Sequence, residues 1–167
     1  RVVETIAGDV GVAATTAEAL DRMQPVVPGG TVTYAAQTHP ADGNAALVVT
    51  TADRARELAT DRAIRIRILG FGQARVAPAH MPEAVVPAAD RALAMAGLSI
   101  ADIDAVKTHN PFAVNDIVFA RATGFPLARM NNYGCSLIWG HPQGPTGTRS
   151  VIELIEELAA RGGGRGL

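Results

Sequence analysis

The sequence predicts an α/β layered domain, and three observations carry that expectation. Short runs of strand composition alternate with segments of helical period from Thr31 onward, residues 63–69 (AIRIRIL) alternate strictly, and residues 148–161 repeat their apolar positions with helical spacing.

The elements follow in chain order. Residues 1–29 are a loop-rich lead-in with a helical turn at Thr16 to Met23 and breakers at Pro25, Pro28, Gly29 and Gly30. Thr31 to Tyr34 has strand composition, and Ala45 to Val49 is an apolar run short enough for a buried strand. The polar stretch from Gln37 to Asn44 between them is a turn. Thr51 is placed to cap a helix from Ala52 to Ala59, with Ala55, Leu58 and Ala59 on one face. In 63–69, Ile64, Ile66 and Ile68 point inward and Arg65 and Arg67 outward, the pattern of a half-solvated strand. Pro87 suits a first helical turn, and Ala89, Leu93 and Ala96 continue that helix until Gly97 stops it. A short strand at Ala105 to Thr108 precedes a helix from Val114 to Thr123, stopped by Gly124. In the last helix, Thr148 to Arg161, Val151, Ile155 and Leu158 share the inward face while Glu157 and Arg161 pair on the outer one.

Composition narrows the function classes. The 167 residues carry 15 Lys+Arg against 16 Asp+Glu, which gives no electrostatic footprint for nucleic acid or an anionic membrane. One cysteine excludes a disulfide framework and a cysteine-built zinc site. No apolar run approaches the roughly 20 residues of a membrane helix, and no charged-then-apolar leader opens the chain, so the expectation is a soluble, cytoplasmic protein. The charged fraction is only 19%, against about 25% in ordinary soluble domains. Partner chains, or other parts of the same chain, are expected to cover some of the surface. The start at Arg1 and the closing glycine run read as a piece cut from something longer.

Unusual residues concentrate in 131–149. Gly140, Gly144 and Gly147 allow close backbone approach, and Pro142 and Pro145 stiffen the loop holding His141. The loop feeds a helix N-terminus, whose free N–H groups favour developing negative charge. His141 therefore suits proton transfer or oxyanion stabilisation, or else it braces a tight turn. His109 and Asn110 follow the strand 105–108, at the strand end where α/β sheets gather ligands, although taken alone the residues read first as a helix cap or turn. Phe112 reads as core or pocket wall. Cys135, flanked by glycine and a small residue, reads as buried and inert, and His39 and His80 as solvated. The histidines lack metal-site spacing, and no Lys follows the glycines as a phosphate loop requires. No metal is expected.

GHPQGPTGTR at 140–149, preceded by NNYGCSLIW, resembles the thiolase signature N-x-x-G-G, four residues, then G-H-P-x-G-x-x-G-x-R. TVTYAAQTHPADGNAALVVTT at 31–51 resembles that family's TVTAGNASGxNDGAAALV, and ALAMAGLSIADIDAVKTHNPFA resembles its helix, acidic lead-in and NEAFA or HDAF motif. The likeness runs over 9–167. It implies half of an αβαβα layered fold, a five-stranded mixed sheet covered by helices. Residues 1–30 would be the tail of a loop region and 31–167 the C-terminal domain without its last strands.

The resemblance also implies acyl transfer between coenzyme A and an enzyme cysteine, by Claisen condensation or thiolysis of a 3-ketoacyl-CoA. No cofactor is implied beyond the coenzyme A thioester, which is substrate. His141 matches the histidine that activates the nucleophile and helps form the oxyanion hole, and His109 matches the Asn of NEAF or the His of the sterol-carrier-type branch. Tyr34 and Thr38 fall on the coenzyme A contact segment and Pro111 and Phe112 on the pantetheine wall. Asn110, Gly134, Gly140 and Gly144 support the oxyanion loops. Implied partners are the N-terminal thiolase half and a second or further copies in a dimer or tetramer; an accessory acyl-CoA-binding subunit belongs to the lyase alternative below. The nucleophilic cysteine belongs to the N-terminal half and the acid/base cysteine to a segment beyond Leu167; Cys135 matches neither. The fragment alone is expected to be inactive. Two alternatives stay open: a cysteine-free carbon–carbon lyase or aldolase working with a partner subunit, for which Tyr133 and HNPF are suggestive, and a non-catalytic acyl-CoA or lipid-binding module.

Overall fold

Helices dominate the computed structural model, which describes residues 5, 7, 8, 11, 12 and 14–167. The six α-helices among them are α1 (Ala17–Asp21), α2 (Ala52–Leu58), α3 (Val85–Ala96), α4 (Ala113–Thr123), α5 (Ser136–Trp139) and α6 (Thr146–Ala160). Thr16 and Thr51 cap α1 and α2 by accepting backbone N–H bonds from Ala19 and Arg54. Gly97 and Gly124, both left-handed, end α3 and α4 where the sequence places their stops. Ala89 and Leu93 from α3, Phe119 from α4, and Ile103, Val106, Phe125 and Met130 form the buried core. Among the described residues no helix is long and apolar enough to cross a membrane.

The expected five-stranded sheet is not seen among the described residues. The described residues make only isolated bridges: Gln37 with Phe112, Pro40 with His141, Ala105 with Gly166 and Val106 with Met130. Residues 105–107 sit at the centre of this pairing. Leu167 N–H donates to Ala105 O (3.0 Å), Lys107 N–H to Leu167 O (2.9 Å) and Asn131 N–H to Val106 O (2.9 Å). That is the first rung of a parallel ladder on one side and a single bond on the other.

Strand composition does not make a strand where no neighbour supplies the ladder. Tyr34 lies in a 3-10 turn, Tyr34–Ala36, instead of a strand. Val48 in the expected buried run is 81% exposed, and Ile64, Ile66 and Ile68 are exposed together with the arginines they alternate with. The segment after them nevertheless passes very close to α3. A Cβ at Gly72 would lie 1.9 Å from Ala88 O, so only glycine admits this approach.

Two helical faces also differ from expectation. The face of α2 carrying Ala55 and Leu58 is exposed, since nothing among the described residues packs over it. In α6, which starts at Thr146 and not Thr148, the buried positions are Thr146, Ser150 and Glu157, while Val151 is exposed. Glu157 points inward because Lys107 waits there. Lys107 Nζ is 2.8 Å from Glu157 Oε2, Asn132 Nδ2 donates to Oε1 (3.0 Å), and Arg161 pairs with the same oxygen from outside.

Candidate active site

Two loops meet above the 105–107 stretch, and each presents a histidine. His109 follows that stretch directly, and His141 sits between α5 and α6. Their ring centroids are 4.3 Å apart with planes tilted by 36°.

Each imidazole is held through its Nδ1. Ser136 Oγ lies 3.1 Å from His109 Nδ1, and Thr146 Oγ1 lies 2.8 Å from His141 Nδ1. Both Nε2 atoms are thereby left for a third group. The His141 backbone N–H donates to His39 O (2.8 Å), which stitches the loop to the 37–40 segment.

The His109 loop is anchored by a polar cluster around Asp116 on α4. Its carboxylate accepts from Thr108 Oγ1 (2.5 Å), Asn110 Nδ2 (2.6 Å) and Asn131 Nδ2 (3.1 Å), and Asn131 Oδ1 accepts the Thr108 backbone N–H (2.8 Å). Asn110 is buried, so the residue after His109 is a structural anchor. A cavity of about 460 Å³ opens beside His109, between Gly72, α3 and the 106–109 stretch, with Leu167 and Phe119 on its walls.

Electrostatics keep His109 neutral. Burial, then the neighbouring His141, then the Arg149 guanidinium push its pKa below the ordinary histidine value. A histidine depressed in this way contributes stability that is full above its unfolded pKa and is lost as pH falls through that value toward the folded one. At neutral pH the ring is a hydrogen-bond donor without charge.

The other sequence candidates fall at different distances from this pair. Thr38 is at the site: its N–H donates to Pro111 O (2.8 Å) and its hydroxyl to Ser136 O (2.5 Å). Pro111 lines the cavity, and Phe112 precedes α4 and bridges to Gln37. Tyr34, 74% exposed, makes no contact with the histidines among the described bonds. At Gly134, φ is +110° and a Cβ would strike Trp139 Nε1 at 1.9 Å, so the loop turns there only with glycine. Gly140 packs against Ala41 and His39, whereas a Cβ at Gly144 would meet open space.

His39 corrects the expectation of a solvated ring. It is half-buried with Nε2 enclosed and unpartnered, because residues 37–40 are threaded between the two histidine loops. Cys135 is partly buried and free, and His80, exposed, faces Glu83. Ser136, Thr146, Asp116 and Asn131 were not singled out from sequence. Hydroxyl and amide residues scattered through loops have no period to mark them. No group of three potential metal ligands occurs among the described residues.

The sequence pattern described as "Thiolase, C-terminal domain" matches residues 62–167, well over half of the chain. The chain belongs to the thiolase family. Among thiolase relatives, it is 35% identical over 156 residues to the beta-ketoadipyl-CoA thiolase of Pseudomonas knackmussii, covering 92% of this chain and 38% of the relative. The acetyl-CoA acetyltransferase of Escherichia coli is 34% identical over 164 residues, with 91% and 41% covered. The fold is similar to that of the Bacillus anthracis acetyl-CoA acetyltransferase (TM-score 0.81, 30% identity, 90% and 38% covered). Human mitochondrial 3-ketoacyl-CoA thiolase is similar too (TM-score 0.79, 29% identity, 92% and 39% covered). The chain thus spans about two fifths of the length of the thiolases it matches. The similarity establishes a thiolase-like α/β fold, although these residues by themselves form helices and bridges in place of a sheet.

Proposed function

We propose that this chain supplies the histidine part of a thiolase-type centre that cleaves or forms 3-ketoacyl-CoA, in the branch where histidine replaces the usual Asn. The observation carrying this reading is the facing pair His109 and His141, each held at Nδ1 by a buried hydroxyl. An oxygen reaching both Nε2 edges would be held by two donors aimed at developing charge, His109 as it stands and His141 once it has taken up a proton.

Thiolysis would begin at His141. A cysteine of the N-terminal half gives its proton to His141 Nε2 as its sulfur attacks the 3-keto carbon. The C2–C3 bond breaks, and its electron pair becomes the enolate of acetyl-CoA, whose oxygen accepts from His109. A second cysteine protonates that carbon; coenzyme A then gives its thiol proton to that cysteine's thiolate and takes the acyl group, and the departing nucleophilic cysteine recovers its proton from His141. The Leu167 pairing supports the position of the second cysteine. A chain continuing the parallel register with Ala105 and Lys107 would run along the cavity edge toward His109. Thr38, Pro111 and Phe112 would border the coenzyme A tail, with Asn110 and the glycines of the 134–144 loops as support. The exposed apolar stretches around Val48 and Ile68 suit cover by the N-terminal half and by further copies in a dimer or tetramer.

One observation favours a second reading. Tyr133 holds a non-glycine φ of +74° and is 74% exposed, and strain of this kind gathers at functional sites. A tyrosine acid/base there would suit a carbon–carbon lyase that dispenses with the cysteines. Assay of the complete protein with a 3-ketoacyl-CoA and coenzyme A separates the two. Thiolysis is expected, and it survives Tyr133→Phe within about twofold; no thiolysis, with lyase turnover abolished by Tyr133→Phe, overturns the thiolase reading.

A further inference from the structure

Ser136 begins α5 and is completely buried. Its hydroxyl has two partners, Arg149 Nη2 at 3.2 Å and His109 Nδ1 at 3.1 Å. A guanidinium nitrogen only donates. Arg149 therefore occupies a lone pair of the serine oxygen, and the hydroxyl hydrogen is left over for the imidazole. Were Nδ1 to carry the proton instead, the serine hydrogen would be enclosed with no acceptor among the described residues, an arrangement that proteins avoid.

We infer that Arg149 and Ser136 form a donor relay that fixes His109 as the Nε2–H tautomer, making Ser136 a positioning residue for that ring. Further contacts hold both members of the relay. Arg149 Nη1 donates to Gly140 O (3.3 Å), and its Nε sits 3.3 Å from Glu153 Oε1, so the guanidinium cannot swing away without breaking both. The Thr38 hydroxyl donates to the Ser136 carbonyl and holds that residue's backbone. The same arginine thus ties the backbone just before His141 to the hydroxyl that orients His109. An N–H at Nε2 is directed away from the relay, which is where the proposed enolate oxygen would be received; this consequence, though not the tautomer itself, rests on the thiolase reading.

The test is the tautomer, read from two-bond ¹H–¹⁵N spectra of the complete protein labelled at histidine, with His109 assigned by its loss in His109→Asn. The wild-type protein is expected to show the Nε2–H pattern at pH 7.5, and Ser136→Ala to lose it in favour of mixed tautomers. In Ser136→Ala, kcat is expected to fall about tenfold with little change in KM, as when a partner that orients a reacting histidine is removed. An Nδ1–H pattern in the wild-type protein, or an unchanged pattern in Ser136→Ala, overturns the relay. The wild-type spectrum decides the point even if the variant fails to fold. A protein showing the Nε2–H pattern without thiolysis keeps the relay and loses the thiolase reading; thiolysis with an Nδ1–H pattern does the reverse.

Discussion

Replacing His141 with alanine is expected to lower kcat for thiolysis in the complete protein by about 10³-fold, since one ring serves both as general base and as oxyanion donor. With Nδ1 engaged by Thr146, Nε2 is the ring nitrogen left to a reacting group, so no rearrangement of the same side chain compensates. His109→Ala should cost about 10²-fold through the loss of one donor. His109→Asn should recover part of that loss, because an amide N–H can stand where the imidazole N–H stood. Steady-state kcat and KM of the three variants check this, and a His141→Ala protein with wild-type turnover would remove His141 from the mechanism.

The largest stability effect is expected at Glu157. The residue is 1% exposed and lies against the equally buried Lys107. Burial alone raises its carboxyl pKa, but the bonds from Lys107 and Asn132 and the charges of Lys107 and Arg161 outweigh burial and bring it below the usual carboxylate value. Glu157→Gln leaves the lysine charge enclosed without a counter-ion and should destabilise by about 3–5 kcal/mol in denaturant unfolding. Replacing both partners, Lys107→Met with Glu157→Leu, should recover most of that loss, since the penalty comes from the orphaned charge. The pH dependence has a definite sign. A depressed carboxylate contributes stability that is present above its unfolded pKa and disappears as pH falls through the folded one. Acid should therefore weaken the wild-type protein and leave the double variant less affected.

Helices were legible in the sequence because their signals are local. Thr51 caps α2, Gly97 and Gly124 end α3 and α4, and the structure has all three there. Strands were not, because Ala45 to Val49 and Ala63 to Leu69 carry the composition of strands while pairing depends on chain far away in sequence. Amphipathic spacing also misjudged α6, where a distant lysine, invisible to periodicity, turned Glu157 inward. At the site, His109 and His141 could be picked out from their motifs, since GHP and HNPF are continuous. Their companions could not: Ser136 meets His109 only when the loops at 109 and 141 are brought together, and Thr146 and Asp116, though close in sequence to His141 and Asn110, follow no period that marks them.

The most direct measurement of the central claim is exchange of deuterium into the α-carbon of acetyl-CoA in D₂O by the complete protein, followed by NMR. It reports enolate formation without requiring a full turnover on any particular acyl chain. If His109 and His141 stabilise the enolate oxygen, exchange should occur with the wild-type protein, fall about 10²-fold or more in His109→Ala, and be lost in the double alanine variant. Exchange that proceeds at the wild-type rate in the double variant would contradict the account.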